Sequence, residues 1–388
     1  MEFQSNAIAK PKERLKGRRL SESFLESDLS SFRSREIWFI REFGDKAVQN
    51  ETFKNINDIK HLIMIITKTP LRVSFAGGGT DLRSYYARYN GGAVTSTAID
   101  KYIYVTVNKK FDDKIRVSYS KTEIVDSVDE LKHGLVREAM KLTGVTSGVE
   151  ITTIADIPSH GTGLGSSSTL TVGLLNALYA YKGILASPQR LAEDACKIEI
   201  DILQEPNGKQ DQYIASFGGI QHIRFNPDES VHVQPVICPV EVRKELEENL
   251  MLFYTGIERK ARDILKEQNN RTEINIELLN EMKKQSEEVR DALLSHDVDE
   301  VGYILDRAWN LKKQLSSGIS NEYIDELYRR AKNAGAIGGK ITGAGGGGFL
   351  LLYCRKYKQK NVIEELKELK YVPFRFDLQG SRFIHVSD

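Results

Sequence analysis

The run Ile157-Pro158-Ser159-His160-Gly161-Thr162-Gly163-Leu164-Gly165-Ser166-Ser167-Ser168 gathers the residue types that hold phosphate. Glycines let a backbone approach a ligand closely, and serines at a helix start stand where caps belong. Free N–H groups and the partial positive charge of a helix N-terminus suit an anion. The lysine that follows the last glycine of a Walker A loop is missing, and three serines stand in its place. The plain alternative is a Gly/Ser turn that only caps a helix. The length of the run, and its place between a strand-like and a helix-like apolar stretch, favour an anion site.

Three further clusters carry chemistry-bearing residues. In Thr69-Pro70-Leu71-Arg72-Val73-Ser74-Phe75-Ala76-Gly77-Gly78-Gly79-Thr80-Asp81-Leu82, Arg72 interrupts an apolar run and Asp81 follows three glycines. A carboxylate on a tight loop can accept hydrogen bonds from sugar hydroxyls, although a lone Asp there is as often a turn residue. Glu199 and Asp211 flank the turn Pro206-Asn207-Gly208-Lys209-Gln210. Phosphoryl transfer needs an oxygen ligand for Mg²⁺, a positioned acceptor hydroxyl and nearby cations. A Glu and an Asp on separate elements can divide those tasks; the alternative is a solvated Glu and a capping Asp. The tract Lys340-Ile341-Thr342-Gly343-Ala344-Gly345-Gly346-Gly347-Gly348 reads either as a hinge or as a segment packed close beside the phosphate loop.

These clusters need elements to hold them. β-Branched and aromatic runs predict strands over Ile65–Thr69, Tyr102–Val107, Ile115–Ser118 and Val149–Ala155. Amphipathic spacing predicts helices over Val128–Leu142, stopped by Gly144, then Ser167–Lys182 and Pro188–Leu203. From Leu250 the chain reads as mostly helical, with Ile276, Leu279 and Met282 at helical spacing; Gly348–Tyr353 and Phe383–Val386 close it as strands. The class expected is α+β in two lobes, residues 64–225 and 226–388. Residues 1–63 read as a polar extension with a basic stretch from Lys10 to Arg19, either an arm for docking or regulation or a segment ahead of a natural start at Met64.

The chain has 388 residues with 40% hydrophobic and 28% charged, enough for large cores. Its net charge of +1 gives no general pull towards nucleic acid or acidic membrane. No apolar run approaches the roughly 20 residues a membrane helix needs. Cys196, Cys238 and Cys354 are too few and too scattered for a disulfide framework or a structural zinc site, which points to a reducing cytoplasm.

Taken in order, the four clusters resemble the GHMP kinases, the superfamily of galactokinase, homoserine kinase, mevalonate kinase and phosphomevalonate kinase, from about Met64 to the end. Within it, Gly77-Gly78-Gly79-Thr80-Asp81-Leu82 and Gly208-Lys209-Gln210-Asp211-Gln212 are most similar to the bacterial D-glycero-D-manno-heptose 7-phosphate kinases. Galactokinases carry an acidic residue and a His where Gly78 and Gly79 stand, which disfavours galactose. The resemblance implies a two-lobed fold, with an N-terminal lobe like ribosomal protein S5 domain 2 and an active site in the cleft. It implies ATP and Mg²⁺ as cofactors. Gly161, Gly163, Leu164, Gly165, Ser166, Ser167 and Ser168 would serve ATP, and Ser167 and Glu199 would serve the metal. Asp211 with Arg72 would act on the acceptor hydroxyl, because a charge-paired carboxylate is a firm hydrogen-bond acceptor. Gly79, Thr80, Asp81, Lys209, Gly345 and Gly346 would meet the substrate, a small sugar phosphate; Arg83 and Arg88 are further candidates for its phosphate. A phosphate acceptor distinguishes this substrate from that of a related sugar 1-kinase such as an L-fucose kinase. A non-catalytic sugar sensor on the same fold could dispense with Glu199 or Asp211, and both are present here. A scaffold working through the N-terminal arm would need a partner for its basic run, and none is legible. The oligomeric state is left open.

Overall fold

The computed structural model describes residues 64–387 apart from 159, 160 and 258–260, within a compact unit, His61–Asp388. The extension expected over residues 1–63 lies outside the described residues.

Two long strands carry the first sheet. β1 (Met64–Ala76) and β2 (Gly92–Lys109) pair antiparallel along nearly their whole length. β1 runs well past the expected Thr69. Pro70 sits at a register shift, which spares the ladder the hydrogen bond that proline cannot donate, and the apolar Leu71–Ala76 then continues the strand. β3 (Ile115–Ser118), β4 (Thr122–Val125) and β5 (Val149–Ala155) extend the sheet beyond β2. β6 (Ile220–Phe225) joins the first half of β2, and β7 (Val231–Pro235) joins β6. The last strand, β12 (Arg382–Ser387), returns to β1, so the chain end belongs to the first sheet.

Helices α1 (Arg83–Tyr86), α2 (Gly134–Thr143), α3 (Ser166–Tyr181), α4 (Pro188–Cys196) and α5 (Gln210–Phe217) belong to this part. The single helix expected over Val128–Leu142 is broken. Ser127 caps one turn of 3₁₀ helix, and the Glu123 carboxylate then takes the N–H groups of Lys132 and His133 at 2.7 and 3.2 Å, so α2 starts only at Gly134. The helix expected to reach Leu203 leaves the α-helical path at Cys196 and continues as a π turn, Lys197–Ile202, in which the Leu203 N–H donates to the Ile198 carbonyl. α3 is buried on nearly all sides from Ser168 to Tyr179, as suits a central helix. It packs on β1 and β2, with the Thr67 hydroxyl donating to the Gly173 carbonyl at 3.0 Å.

Beyond β7 come α6 (Val240–Asn249), β8 (Leu250–Tyr254), α7 (Ala261–Asn270), α8 (Ile276–Leu294), α9 (Val298–Leu315) and α10 (Glu322–Ala334). Then follow β9 (Gly338–Ile341), β10 (Phe349–Tyr353), α11 (Gln359–Glu365) and β11 (Lys370–Tyr371). The four strands form a second antiparallel sheet in the order β11-β8-β10-β9, over a core that holds Trp309, Phe253 and Leu350. The molecule is α+β, as expected.

Candidate active site

β5 feeds the glycine–serine run into α3, whose N-cap is Gly165, a residue with no side chain to cap the helix. The N–H groups of Ser166, Ser167 and Ser168 in the first turn therefore face a cleft of about 250 Å³ that these residues line. The loop is tied to β1. Leu164 is fully buried, and its carbonyl accepts the Arg72 N–H at 3.1 Å. That N–H is free because β12 pairs β1 only from Met64 to Lys68.

From the same residue a side chain crosses the cleft wall. The Arg72 guanidinium binds the Asp211 carboxylate in a two-pronged contact, Nε to Oδ1 at 2.7 Å and Nη2 to Oδ2 at 2.6 Å, and Nη1 donates to the Gly163 carbonyl at 2.6 Å. Asp211 stands in the first turn of α5, where the helix dipole also favours a negative charge. Asp81 lies deep in the cleft wall. Its Oδ1 accepts from the Gly79 N–H at 2.9 Å, and its Oδ2 accepts from the N–H and Nε2 of Gln210 at 3.3 and 3.1 Å. Burial, aided by the charge of Asp211, pushes its pKa above the usual carboxylate value. Only glycine fits at Gly208, because a Cβ there would lie 2.0 Å from Asp81 Oδ2.

The second glycine tract connects β9 to β10 and packs directly on the glycine–serine loop. A Cβ on Gly343 would lie 2.5 Å from Gly163 Cα, and one on Gly163 would lie 2.5 Å from the Thr342 carbonyl oxygen. Close backbone approach thus accounts for the tract, which is held between two strands. Gly343 and Ala344 line the cleft, whereas Gly345 and Gly346 pack on Ile319.

Behind the loop, Glu199 is fully buried on the π turn. Its Oε2 accepts from Ser168 Oγ at 2.8 Å and from Asn207 Nδ2 and Gln212 Nε2 at 3.1 Å each, while its Oε1 has no protein partner. Burial raises its pKa to about 7, against the hydrogen bonds of Ser168 and Asn207. A buried carboxylate oxygen without a partner, beside a serine-rich helix start, is chemistry that fits a hard divalent cation. Ser167 is exposed to the cleft, and it is Ser168 that turns inward to Glu199.

The fold therefore gathers Gly161, Gly163, Gly165, Ser166, Ser167, Ser168, Arg72, Gly79, Asp81 and Asp211 around one cleft. Other candidates stand elsewhere. Thr80 spends its hydroxyl on the carbonyls of Gly77 and Ala93, at 2.8 and 2.9 Å, and pins the loop to β2. Lys209 points away from the cleft to Glu229 and lies 4.8 Å from the Tyr86 ring. Arg83 is paired with Asp201 and Glu229, and Arg88 with Glu273. The sequence reading missed Lys312 on α9, which lines the cleft and donates to the Gly343 carbonyl. Burial, with the charge of Arg72, lowers its pKa to about 8. The signal was present: Lys312 continues the buried series Ile304, Leu305, Ala308, Trp309 and precedes Leu315. Gln268, also on the wall, was missed as well, and its Nε2 is buried without a protein partner.

Two families match the chain, the GHMP kinases N terminal domain over residues 130–219 and GHMP kinases C terminal over residues 289–372. The D-glycero-alpha-D-manno-heptose 7-phosphate kinase of Campylobacter jejuni is 33% identical over 332 residues, spanning 81% of this chain and 97% of that protein. This chain belongs to the GHMP kinases. A crystal structure of a D-glycero-D-manno-heptose 1-phosphate kinase from Bacteroides thetaiotaomicron superposes with a TM-score of 0.70 at 27% identity, covering 84% of this chain and all of that one. The L-fucokinase/L-fucose-1-P guanylyltransferase of Bacteroides fragilis is 27% identical over 74% of this chain and 34% of that larger protein. The matched segments carry the helix start at Gly165, Asp211, Lys312 and Gly343 and Ala344 of the β9–β10 tract, which line the cleft, and Glu199 behind it.

Proposed function

We propose that this GHMP kinase phosphorylates the anomeric hydroxyl of D-glycero-α-D-manno-heptose 7-phosphate, giving the 1,7-bisphosphate, from ATP with Mg²⁺. The observation that carries phosphoryl transfer is the Arg72–Asp211 pair set against the uncapped start of α3 in one cleft. The kinship with the Campylobacter jejuni enzyme carries the choice of acceptor. The product would supply nucleotide-activated heptose for surface polysaccharide.

ATP bound at the cleft supplies the phosphoryl group. The amides of Gly163, Gly165 and Ser166 hold its phosphates, and Ser167 and Glu199 offer oxygens to Mg²⁺. Asp211 accepts a hydrogen bond from the acceptor hydroxyl and aims it; Arg72 fixes the carboxylate in place. Such a role suits a loose transition state, where positioning and charge matter more than proton abstraction. Asp81 takes ring hydroxyls, with Gly79 beside it on the cleft wall.

The test is a coupled ADP-release assay on heptose 7-phosphate, mannose, fucose, galactose and mevalonate, with phosphorus NMR of the product. Heptose 7-phosphate should give the highest kcat/KM and a new anomeric phosphate. An unphosphorylated sugar preferred tenfold or more, about 1.4 kcal/mol of discrimination, would overturn the acceptor and leave the kinase standing.

A further inference from the structure

Among the described residues, Arg72 and Lys312 are the cations that line the cleft. Arg72 has little to offer an incoming phosphate. Two of its nitrogens bind Asp211 and the third donates to the Gly163 carbonyl, so its charge is cancelled at contact distance. Lys312 is placed differently. It is 5% exposed, and among the described residues no carboxylate stands within ion-pair distance of its ammonium, which donates to the neutral carbonyl of Gly343. Groups from several elements act on it: Arg72 on β1, Asp81 on the following loop, Asp211 on α5, and Lys340 on β9. Lys340 is buried behind them, donates to the Phe75 carbonyl at 3.3 Å, and does not line the cleft.

Keeping an ammonium in the core without a paired carboxylate is costly. The face of α9 that carries it is otherwise apolar, so a leucine or methionine would suit the packing better. A cation retained there is explained by an anion that arrives with the substrate. We propose that Lys312 contacts the phosphoryl group in transit between the nucleotide and the acceptor oxygen, and neutralises the charge that spreads over its oxygens. Its carbonyl partner, Gly343, belongs to the tract packed on Gly163, which sets the ammonium beside the phosphate loop. This rests on the phosphoryl-transfer reading of the cleft, and not on the choice of sugar.

The test compares Lys312→Met with the wild-type protein in binding and in turnover. Calorimetry gives Kd for ADP·Mg²⁺ and for ADP·Mg²⁺ with aluminium fluoride, which imitates the phosphoryl group in flight. Methionine should leave ADP binding within about threefold but weaken the aluminium fluoride complex by about 10²-fold, the usual loss for one preorganised donor. kcat should fall by a similar factor of about 10², with the KM for ATP little changed. The wild-type kcat/KM should also decline above about pH 8 as the ammonium loses its proton, and the variant should lack that limb. Equal loss of both complexes would reduce Lys312 to packing or ground-state binding and overturn the proposal, as would affinities and kcat all within threefold of wild type. The mimic needs no sugar, so the binding comparison decides on Lys312 even where the heptose phosphate assignment fails. A wild-type protein that binds neither complex overturns the phosphoryl-transfer reading and this inference together.

Discussion

Asp211 and Glu199 are both acids beside one loop, and their surroundings divide their work. Asp211 is held open to the cleft by the two-pronged Arg72 contact, so Asp211→Asn should keep ATP binding and lower kcat by about 10²–10⁴-fold. Steady-state kinetics with nucleotide calorimetry checks this, and a loss below tenfold would take Asp211 out of the reaction. Glu199 is closed off from water, with one oxygen holding Ser168, Asn207 and Gln212 and the other without a protein partner. Glutamine at position 199 retains the acceptor for those three donors but weakens the hold on a cation. The Mg²⁺ concentration for half-maximal turnover should rise about tenfold or more, in line with the usual loss of a ligand-shell partner. An unchanged Mg²⁺ titration would remove Glu199 from metal binding.

Contacts between elements set the shape of the cleft. Gly343 has φ +64, and a Cβ there would lie 2.5 Å from Gly163 Cα, so Gly343→Ala must push the β9–β10 connection off the phosphate loop. Gly144, the C-cap of α2, has φ +70 but nothing within 4 Å, so Gly144→Ala carries only the backbone cost of about 1–2 kcal/mol. Thermal melts should show a loss for both variants, and only Gly343→Ala should also raise the KM for ATP, by about tenfold. A second junction joins β2, β6 and α8. The Thr95 hydroxyl donates to the Ser286 carbonyl at 2.6 Å, which leaves its oxygen to accept from His222 Nδ1 at 2.9 Å. Burial, then the charges of Arg290 and Arg224, lower the His222 pKa to about 4. The unfolded chain takes up a proton near the ordinary value of about 6.5 while the folded one stays neutral, so stability falls as pH drops from about 6.5 towards 4, by up to about 3 kcal/mol. His222→Asn keeps a donor near Nδ1 and loses the titration. Urea melts at pH 7 and pH 5 should show a smaller difference for the variant than for the wild type.

At the scale of the whole molecule, the chain end closes the sheet in which the site begins. β12 covers the edge of β1 from Met64 to Lys68, and Ser381, just before it, meets Thr69 Oγ1 at 2.8 Å and Asn176 Nδ2 at 2.9 Å. A chain ending at Gly380 would bare the edge of a thirteen-residue strand that also carries Arg72. It should express as aggregate, whereas Ser381→Ala should fold with a loss of about 1–3 kcal/mol. Size-exclusion chromatography of the truncated chain checks the first expectation; a monomer with a wild-type melt would show that β12 is dispensable.

What the sequence determined by itself is what short-range physics controls. Backbone propensity and period place β3 and β5 at Ile115–Ser118 and Val149–Ala155, and the succession of strand, glycine-serine run and apolar helix was legible without any long-range information. The Val128–Leu142 helix failed because Glu123, on a neighbouring strand, takes the N–H groups that would have continued it. Side-chain direction was decided by tertiary structure. Whether Ser167 or Ser168 turns to Glu199 depends on how α3 seats against the π turn. Lys209 leaves the cleft because Glu229, on the loop between β6 and β7, lies within its reach. Arg72 and Asp211 stand 139 residues apart in sequence and meet only because β1 and α5 flank one cleft. Lys312 acquires its depressed pKa only where the packing of α9 removes water from its ammonium, and a pattern of residue types does not report the solvent around a charge.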